Sequence, residues 1–288
     1  MILLATLGGI VALIFWGTAD YLMGKGGRRS DVYLMNFLLQ CTGSFLLLPF
    51  VLWFGISIPI TDSLYVVAMI AALFTIASVS VIKAFTIGPY GVATPLANSY
   101  PLVTLFVGFS FFHFETSLNQ LVALLTIIVG VIMLAIDRTT FDRQTFHGSV
   151  VYFAGIAAIF WGIGFALFET IIDDFTWLQF LFLLNVFLAV FGFLYYVIVR
   201  RTLPNIQEIR HTYRQYVPQI AVLSVIGSAA FFAASEHVGS VIIPAVVASS
   251  APLVPSLLAY IHDNERLSLY KRFGALVVIA GLMLLNIL

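Results

Sequence analysis

Charge is what this chain has least of. Asp, Glu, Lys and Arg make up 9% of its 288 residues, against about 25% in an ordinary soluble domain. So few charges cannot solvate a water-facing surface, whereas a lipid-facing one needs none. The charges also cancel, 13 basic against 13 acidic, which excludes a basic face for nucleic acid. A single cysteine, Cys41, excludes an internal disulfide and leaves the redox compartment open. It lies in an apolar run and reads as packing. No polar segment is long enough for a soluble domain. Missing too are an HExxH metal motif and a Walker phosphate loop, and no pair of acids at close helical spacing within a span suggests intramembrane hydrolysis. His113, His147, His211, His237 and His262 are scattered at loops and helix ends without metal-ligand spacing.

What is present is apolar. Hydrophobic residues make up 61% of the chain, and a membrane-spanning helix takes about 20 of them in a row. Ten such stretches are expected: Ile2–Met23, Val32–Phe54, Leu64–Ile82, Val92–Phe112, Leu118–Ile136, Gly148–Ile172, Trp177–Val199, Val217–Ala234, Val241–Ile261 and Tyr270–Leu288. Met1 is followed at once by apolar residues, with the first positive charge only at Lys25. That order predicts an uncleaved first helix rather than a signal peptide. The connections are short, so neighbours are antiparallel. The longest polar stretch, Arg200 to Tyr216, joins the seventh and eighth helices.

The charges give a test of the count. Lys25, Arg28 and Arg29 follow the first helix, Lys83 the third, and Arg138 and Arg143 the fifth. Arg200, Arg201, Arg210 and Arg214 follow the seventh, and Arg266, Lys271 and Arg272 the ninth. These alternate connections hold all 13 Lys and Arg. Cytoplasmic loops carry the cations, so both termini are expected outside the cytoplasm of a multi-pass cell-membrane protein.

The sequence also repeats. Ile14-Phe15-Trp16-Gly17 returns as Ile159-Phe160-Trp161-Gly162, and Pro101-Leu102-Val103 as Pro252-Leu253-Val254. Glu115 and Glu265 precede the fifth and tenth helices, which share a pattern from Gly130 and Gly281. Four matches in one order predict two five-helix halves, residues 1–140 and 141–288. Five is odd, so the second half is inverted. The fold expected is an all-α membrane protein: ten transmembrane helices, as two inverted five-helix repeats around a central cavity.

Phe-Trp-Gly in the first helix of each half, with the Glu115-x-x-Leu118-x-Gln120 hairpin leading to Gly130, resembles the EamA branch of the drug/metabolite transporter superfamily. The resemblance covers the whole chain. It implies ten helices in two inverted repeats around a central cavity, moving small metabolites such as amino acids or toxic compounds. Two departures stand out. Lys271 and Arg272 occupy the places of Gln120 and Leu121, and members are commonly drawn with cytoplasmic termini, opposite to what these charges predict.

Inverted repeats hold substrate near the bilayer midplane, where helices are interrupted. Pro101 and Pro252 fall halfway along the fourth and ninth helices, and each frees a carbonyl four residues earlier, at Ala97 and Ala248. Asn98, Ser99 and Tyr100 precede the first proline, and Ser249 and Ser250 the second. These polar residues line a cavity or satisfy the broken helix locally. Asp20 lies one turn beyond Trp16 and Glu169 two turns beyond Trp161, each acid on its tryptophan's face. An acid inside a span is a functional candidate, for a coupling proton or a substrate amine; the alternative is contact with interfacial water, or for Asp20 pairing with Lys25 or Arg28. Trp16 and Trp161 line a cavity or pack. Ser224, Ser228 and Ser235 share a face of the eighth helix, for close helix approach or for substrate. Ser117 and Gln120 form a capping box for the fifth helix.

The expected function is secondary transport of a small metabolite by alternating access, export of an amino acid or similar compound by resemblance. Proton coupling is the one cofactor-like requirement the acids suggest. Its partners are the small-molecule substrate and the lipid bilayer, with no nucleic acid. A channel would more naturally be a symmetric oligomer, whereas two fused halves supply a complete carrier in a monomer. A membrane-embedded enzyme is the remaining alternative class.

Overall fold

A computed structural model describes residues 1–88, 90–114, 117–135, 148–262 and 269–287. The chain is an all-helical membrane protein. Its helices are α1 (Ile2–Gly27), α2 (Val32–Trp53), α3 (Ser63–Ile87), α4 (Tyr90–Ala97), α5 (Tyr100–Phe111), α6 (Leu118–Ala135), α7 (Gly148–Glu169), α8 (Trp177–Arg200), α9 (Ile206–Tyr213), α10 (Val217–Val238), α11 (Ile242–Ala248), α12 (Leu253–His262) and α13 (Leu269–Ile287). Six of these, α1, α2, α3, α7, α8 and α10, are long and apolar enough to cross a membrane. The expected fourth and ninth spans are each divided, into α4 and α5 and into α11 and α12. The fifth and tenth carry shorter apolar stretches, Leu118–Met133 and Arg272–Leu284.

Helix starts follow local chemistry. Asp31 accepts from the Tyr33 and Leu34 amides at 2.8 and 3.0 Å to cap α2. Thr176 and Gln179 form a capping box on α8, and Asn205 and Glu208 on α9. The expected box on α6 is present, with Gln120 N donating to Ser117 Oγ and Ser117 N to Gln120 Oε1, both at 3.2 Å. The polar seventh-to-eighth connection holds α9, a short helix that the apolar pattern does not reveal. Glu115, Glu265, Arg138, Arg143, Arg266 and His147 lie outside the described residues.

Packing pairs the helices in matching sets. α1 lies against α10, α11 and α12, while α7 lies against α3, α4 and α5; α2 meets α8, and α6 meets α13. Glycines set the closest approaches. A Cβ on Gly17 would sit 2.6 Å from the Ala251 carbonyl oxygen, and one on Gly162 would sit 2.7 Å from the Tyr100 carbonyl oxygen. Each Phe-Trp-Gly motif therefore abuts the residue just before Pro252 or Pro101. In the α6–α13 pair, Gly130 faces Val278 and Gly281 faces Ile127 in the same reciprocal way. Small residues at such crossings let backbones make van der Waals contact that lipid cannot replace.

The loops gather at two ends of opposite character. At one end Arg200 pairs with Asp31, and Arg28 Nη2 donates to the Gly88 carbonyl at 3.4 Å. At the other, Gln179 Nε2 donates to the Ser57 carbonyl at 2.8 Å and Ser63 Oγ to Asp174 at 2.5 Å. The described loops of this second end, residues 54–62, 170–176 and 239–240, contain no Lys or Arg.

Candidate functional site

Between the helices lies a cavity of about 170 Å³. Its walls obey helical spacing. α1 supplies Trp16, Ala19, Asp20 and Met23; α2 supplies Asn36, Leu39, Gln40 and Gly43; α8 supplies Leu181, Leu184, Asn185 and Leu188. Residues three and four apart share one helix face, so each helix turns a single strip inward. α3 adds Phe74 and Ser78, α7 adds Trp161 and Phe165, and α10 adds Ser224, Ser228 and Phe232. The break between α4 and α5 contributes Asn98 and Tyr100.

Polar contacts fix this lining. Trp16 Nε1 donates to Ser228 Oγ at 3.2 Å, joining α1 to α10. Asn98 Nδ2 donates to the Thr94 carbonyl at 2.9 Å, and its side chain is hydrogen-bonded to Asp20. The Tyr100 ring meets Trp161 edge-on at 6.2 Å and Phe165 at 5.0 Å. Its hydroxyl donates to the Ala245 carbonyl at 3.0 Å.

Two asparagines that sequence reasoning passed over complete the site. Asn185 Nδ2 donates to the Leu181 carbonyl at 2.8 Å, and its Oδ1 lies 2.4 Å from where a Cβ on Gly43 would be. Asn36 in turn lies beside Gly192. Asn36 is 1% exposed, yet neither its Oδ1 nor its Nδ2 has a partner. Buried amides are normally paired, and leaving one unpaired costs about 1–3 kcal/mol per group. The signal was in the sequence: Asn36-x-x-Leu39-x-x-x-Gly43 recurs as Asn185-x-x-Leu188-x-x-x-Gly192.

Seven of the residues singled out from sequence line this cavity together: Trp16, Asp20, Asn98, Tyr100, Trp161, Ser224 and Ser228. Pro101, Ser249, Pro252 and Glu169 are not among its lining residues. Pro101 is the second residue of α5, just beyond the break. Ser249 is buried with its Oγ donating to the Val246 carbonyl at 2.6 Å, and Pro252 starts the run into α12. The carbonyl that Pro252 frees, at Ala248, is taken up by the Ala251 amide at 2.9 Å. Glu169 ends α7, where its Oε2 accepts from the Val241 amide at 2.5 Å, at the start of α11. Glu236 does the same at 2.5 Å for the Trp177 amide at the start of α8.

Between the cavity and the end without cations stands a block of rings. Phe74, Phe165, Phe231, Phe232, Phe180 and Phe168 form one chain of contacts, with centroids 4.3 to 5.2 Å apart. Ile171, Ile172, Phe175 and Leu178 pack around it.

A charge-poor helical bundle around a mainly apolar chamber with a few polar groups is the architecture of a multi-pass membrane protein. The chain belongs to the EamA-like transporter family, which matches residues 3–136 and again residues 148–287; it is a membrane transporter. No curated protein matches the chain. A solved structure titled only as the crystal structure of a protein aligns over 98% of this chain and 96% of its own, with a TM-score of 0.72 and 16% identity. At that identity the likeness bears on the fold alone. Among the described residues no cluster of His, Cys, Asp or Glu could hold a metal ion.

Proposed function

We propose that the protein is a secondary transporter of a small metabolite, working by alternating access through the cavity between two inverted five-helix halves. The observation that carries this reading is the cavity itself, walled by Trp16 and Asp20 from one half and by Trp161 and Ser228 from the other. The division into residues 1–140 and 141–288 is supported by the twofold family match and by the reciprocal Gly17–Ala251 and Gly162–Tyr100 approaches. Ten spans follow if each broken pair, α4 with α5 and α11 with α12, crosses once, with α6 and α13 crossing as short spans. Asp20 is the residue that binds the coupling proton or a substrate amine; Trp16, Asn98, Tyr100, Trp161 and Ser228 form the wall around it. One chain carries the whole cavity, so the monomer is the working unit, and the substrate is a small metabolite, moved outward.

The gathering of cations at one end favours that end as cytoplasmic, with both termini outside. A C-terminal reporter active only in the cytoplasm should then be silent. For transport itself, purified protein in liposomes should pass a solute panel with saturation, faster with a pH gradient. Non-saturating flux would favour a channel, and chemical conversion of a solute an enzyme.

A further inference from the structure

We propose that the cavity selects a small hydrophobic amine, a single-ring or branched-alkyl ammonium ion that carries no carboxylate. This deepens the carrier reading and rests on its placing substrate in the cavity. Three observations lead to it.

The first is charge. Among the described residues the lining includes one carboxylate, Asp20, and no Lys, Arg or His. Asp20 keeps part of its surface accessible. In a low-dielectric chamber a charge is tolerated when an opposite charge meets it. An ammonium ion beside Asp20 brings the chamber to neutrality. A zwitterionic amino acid leaves it with a net negative charge and sets a second carboxylate near the first, with no cation to receive it.

The second is the unpartnered amide of Asn36, buried at 1% exposure and lining the same cavity. Its Oδ1 is an acceptor, which suits an ammonium N–H. Asp20 reaches only part of such a group's three donors, and Asn36 supplies a further acceptor from the facing helix.

The third is the size and surface of the remainder. Trp16, Trp161, Tyr100, Phe74 and Phe165 present ring surface, which attracts cations and covers apolar bodies alike. The volume is about 170 Å³, and a cavity of about 150 Å³ accommodates benzene. One ring or its aliphatic equivalent fits, with a short arm to the amine.

The test is binding to the purified full-length protein in lipid nanodiscs, read by calorimetry and checked by tryptophan fluorescence, to which Trp16 and Trp161 contribute. Four probes share one ring: 2-phenylethylamine, L-phenylalanine, phenylacetate and 2-phenylethanol. Phenylethylamine should bind at least about tenfold more tightly than each of the others, the step that 1.4 kcal/mol represents. Asp20→Asn should remove that preference and bring the amine level with the alcohol, and Asn36→Leu should weaken the amine more than the alcohol. The wild-type ranking decides the matter even if a variant fails to fold. Equal or tighter binding of phenylalanine or phenylacetate overturns the proposal and leaves the carrier standing, as does a panel in which none of the four binds. Tight amine binding without saturable flux of any solute in liposomes upholds the amine site and overturns the carrier.

Discussion

The Tyr100 hydroxyl donates a 3.0 Å hydrogen bond to the carbonyl of Ala245, so the start of α5 is tied to the middle of α11. Both ends of that bond lie in the interrupted helices, and Tyr100 is 2% exposed. Tyr100→Phe keeps the ring against Trp161 and Phe165 and removes only the donor. It should lower stability by about 0.5–1.5 kcal/mol, the net worth of one such bond. Thermal unfolding in detergent reads this; an unchanged midpoint would mean the two breaks are held together by packing alone.

Gly17 and Gly162 should be equally intolerant of a methyl group. A Cβ at either position would stand within 2.7 Å of a carbonyl oxygen on the crossing helix, so the helices must part. Gly17→Ala and Gly162→Ala are each expected to cost about 1–3 kcal/mol, as overpacking does. Gly155, on the same helix as Gly162, has nothing within 4 Å of its Cβ position. Gly155→Ala should instead be neutral or stabilise by about 0.5–1 kcal/mol through helix propensity. Three melting curves, all read against the native protein, settle the comparison.

Asn98 and Ser249 hold equivalent places ahead of their prolines, yet only Asn98 lines the cavity. After Cys41 is replaced, a cysteine introduced by Asn98→Cys should react with a small aqueous thiol reagent, more slowly when substrate is present. Ser249→Cys, at 1% exposure, should stay unreactive. Equal reactivity at both would mean that the second break also opens onto water.

Glu169 is expected to act on stability through α11. Its carboxylate receives the Val241 amide at 2.5 Å, in the position of a capping acceptor. Glu169→Ala should cost about 1 kcal/mol, as loss of a helix cap does, while Glu169→Gln retains an acceptor oxygen and recovers most of it. Neither change should alter thiol labelling at position 98. A loss of pH-driven uptake in Glu169→Gln, with unaltered melting, would return this acid to the transport path.

What was legible in the sequence, and what was not, divides along physical lines. The helix interruptions were readable because proline acts on its own backbone: α4 stops at Ala97 and α11 at Ala248, just ahead of Pro101 and Pro252. Trp16 and Trp161 were readable because large aromatics recur rarely enough for a repeat to stand out. Asn36 and Asn185 were missed although their Asn-x-x-Leu-x-x-x-Gly pattern recurs, because a neutral amide carries no charge to draw notice and its meaning depends on which helix crosses it. Glu169 could be placed near a helix end from sequence, but not against Val241, since that contact depends on how two distant segments pack. Ser249 shows the same limit in reverse, a polar residue at an informative position whose hydroxyl is spent on the Val246 carbonyl one turn back.

The chain of phenylalanines between the cavity and the cation-free end has an electrical consequence. Its contacts run from ring to ring, Phe74 to Phe168, without an ion pair among them. Carrying one elementary charge across a membrane held at 100 mV involves about 2.3 kcal/mol, and a phenyl ring carries none. Parting these rings by itself displaces no gating charge. In the proposed cycle, voltage acts on the charges outside the block: the cargo, Asp20, and the acids on the helices that carry the rings, Glu169 on α7 and Glu236 on α10.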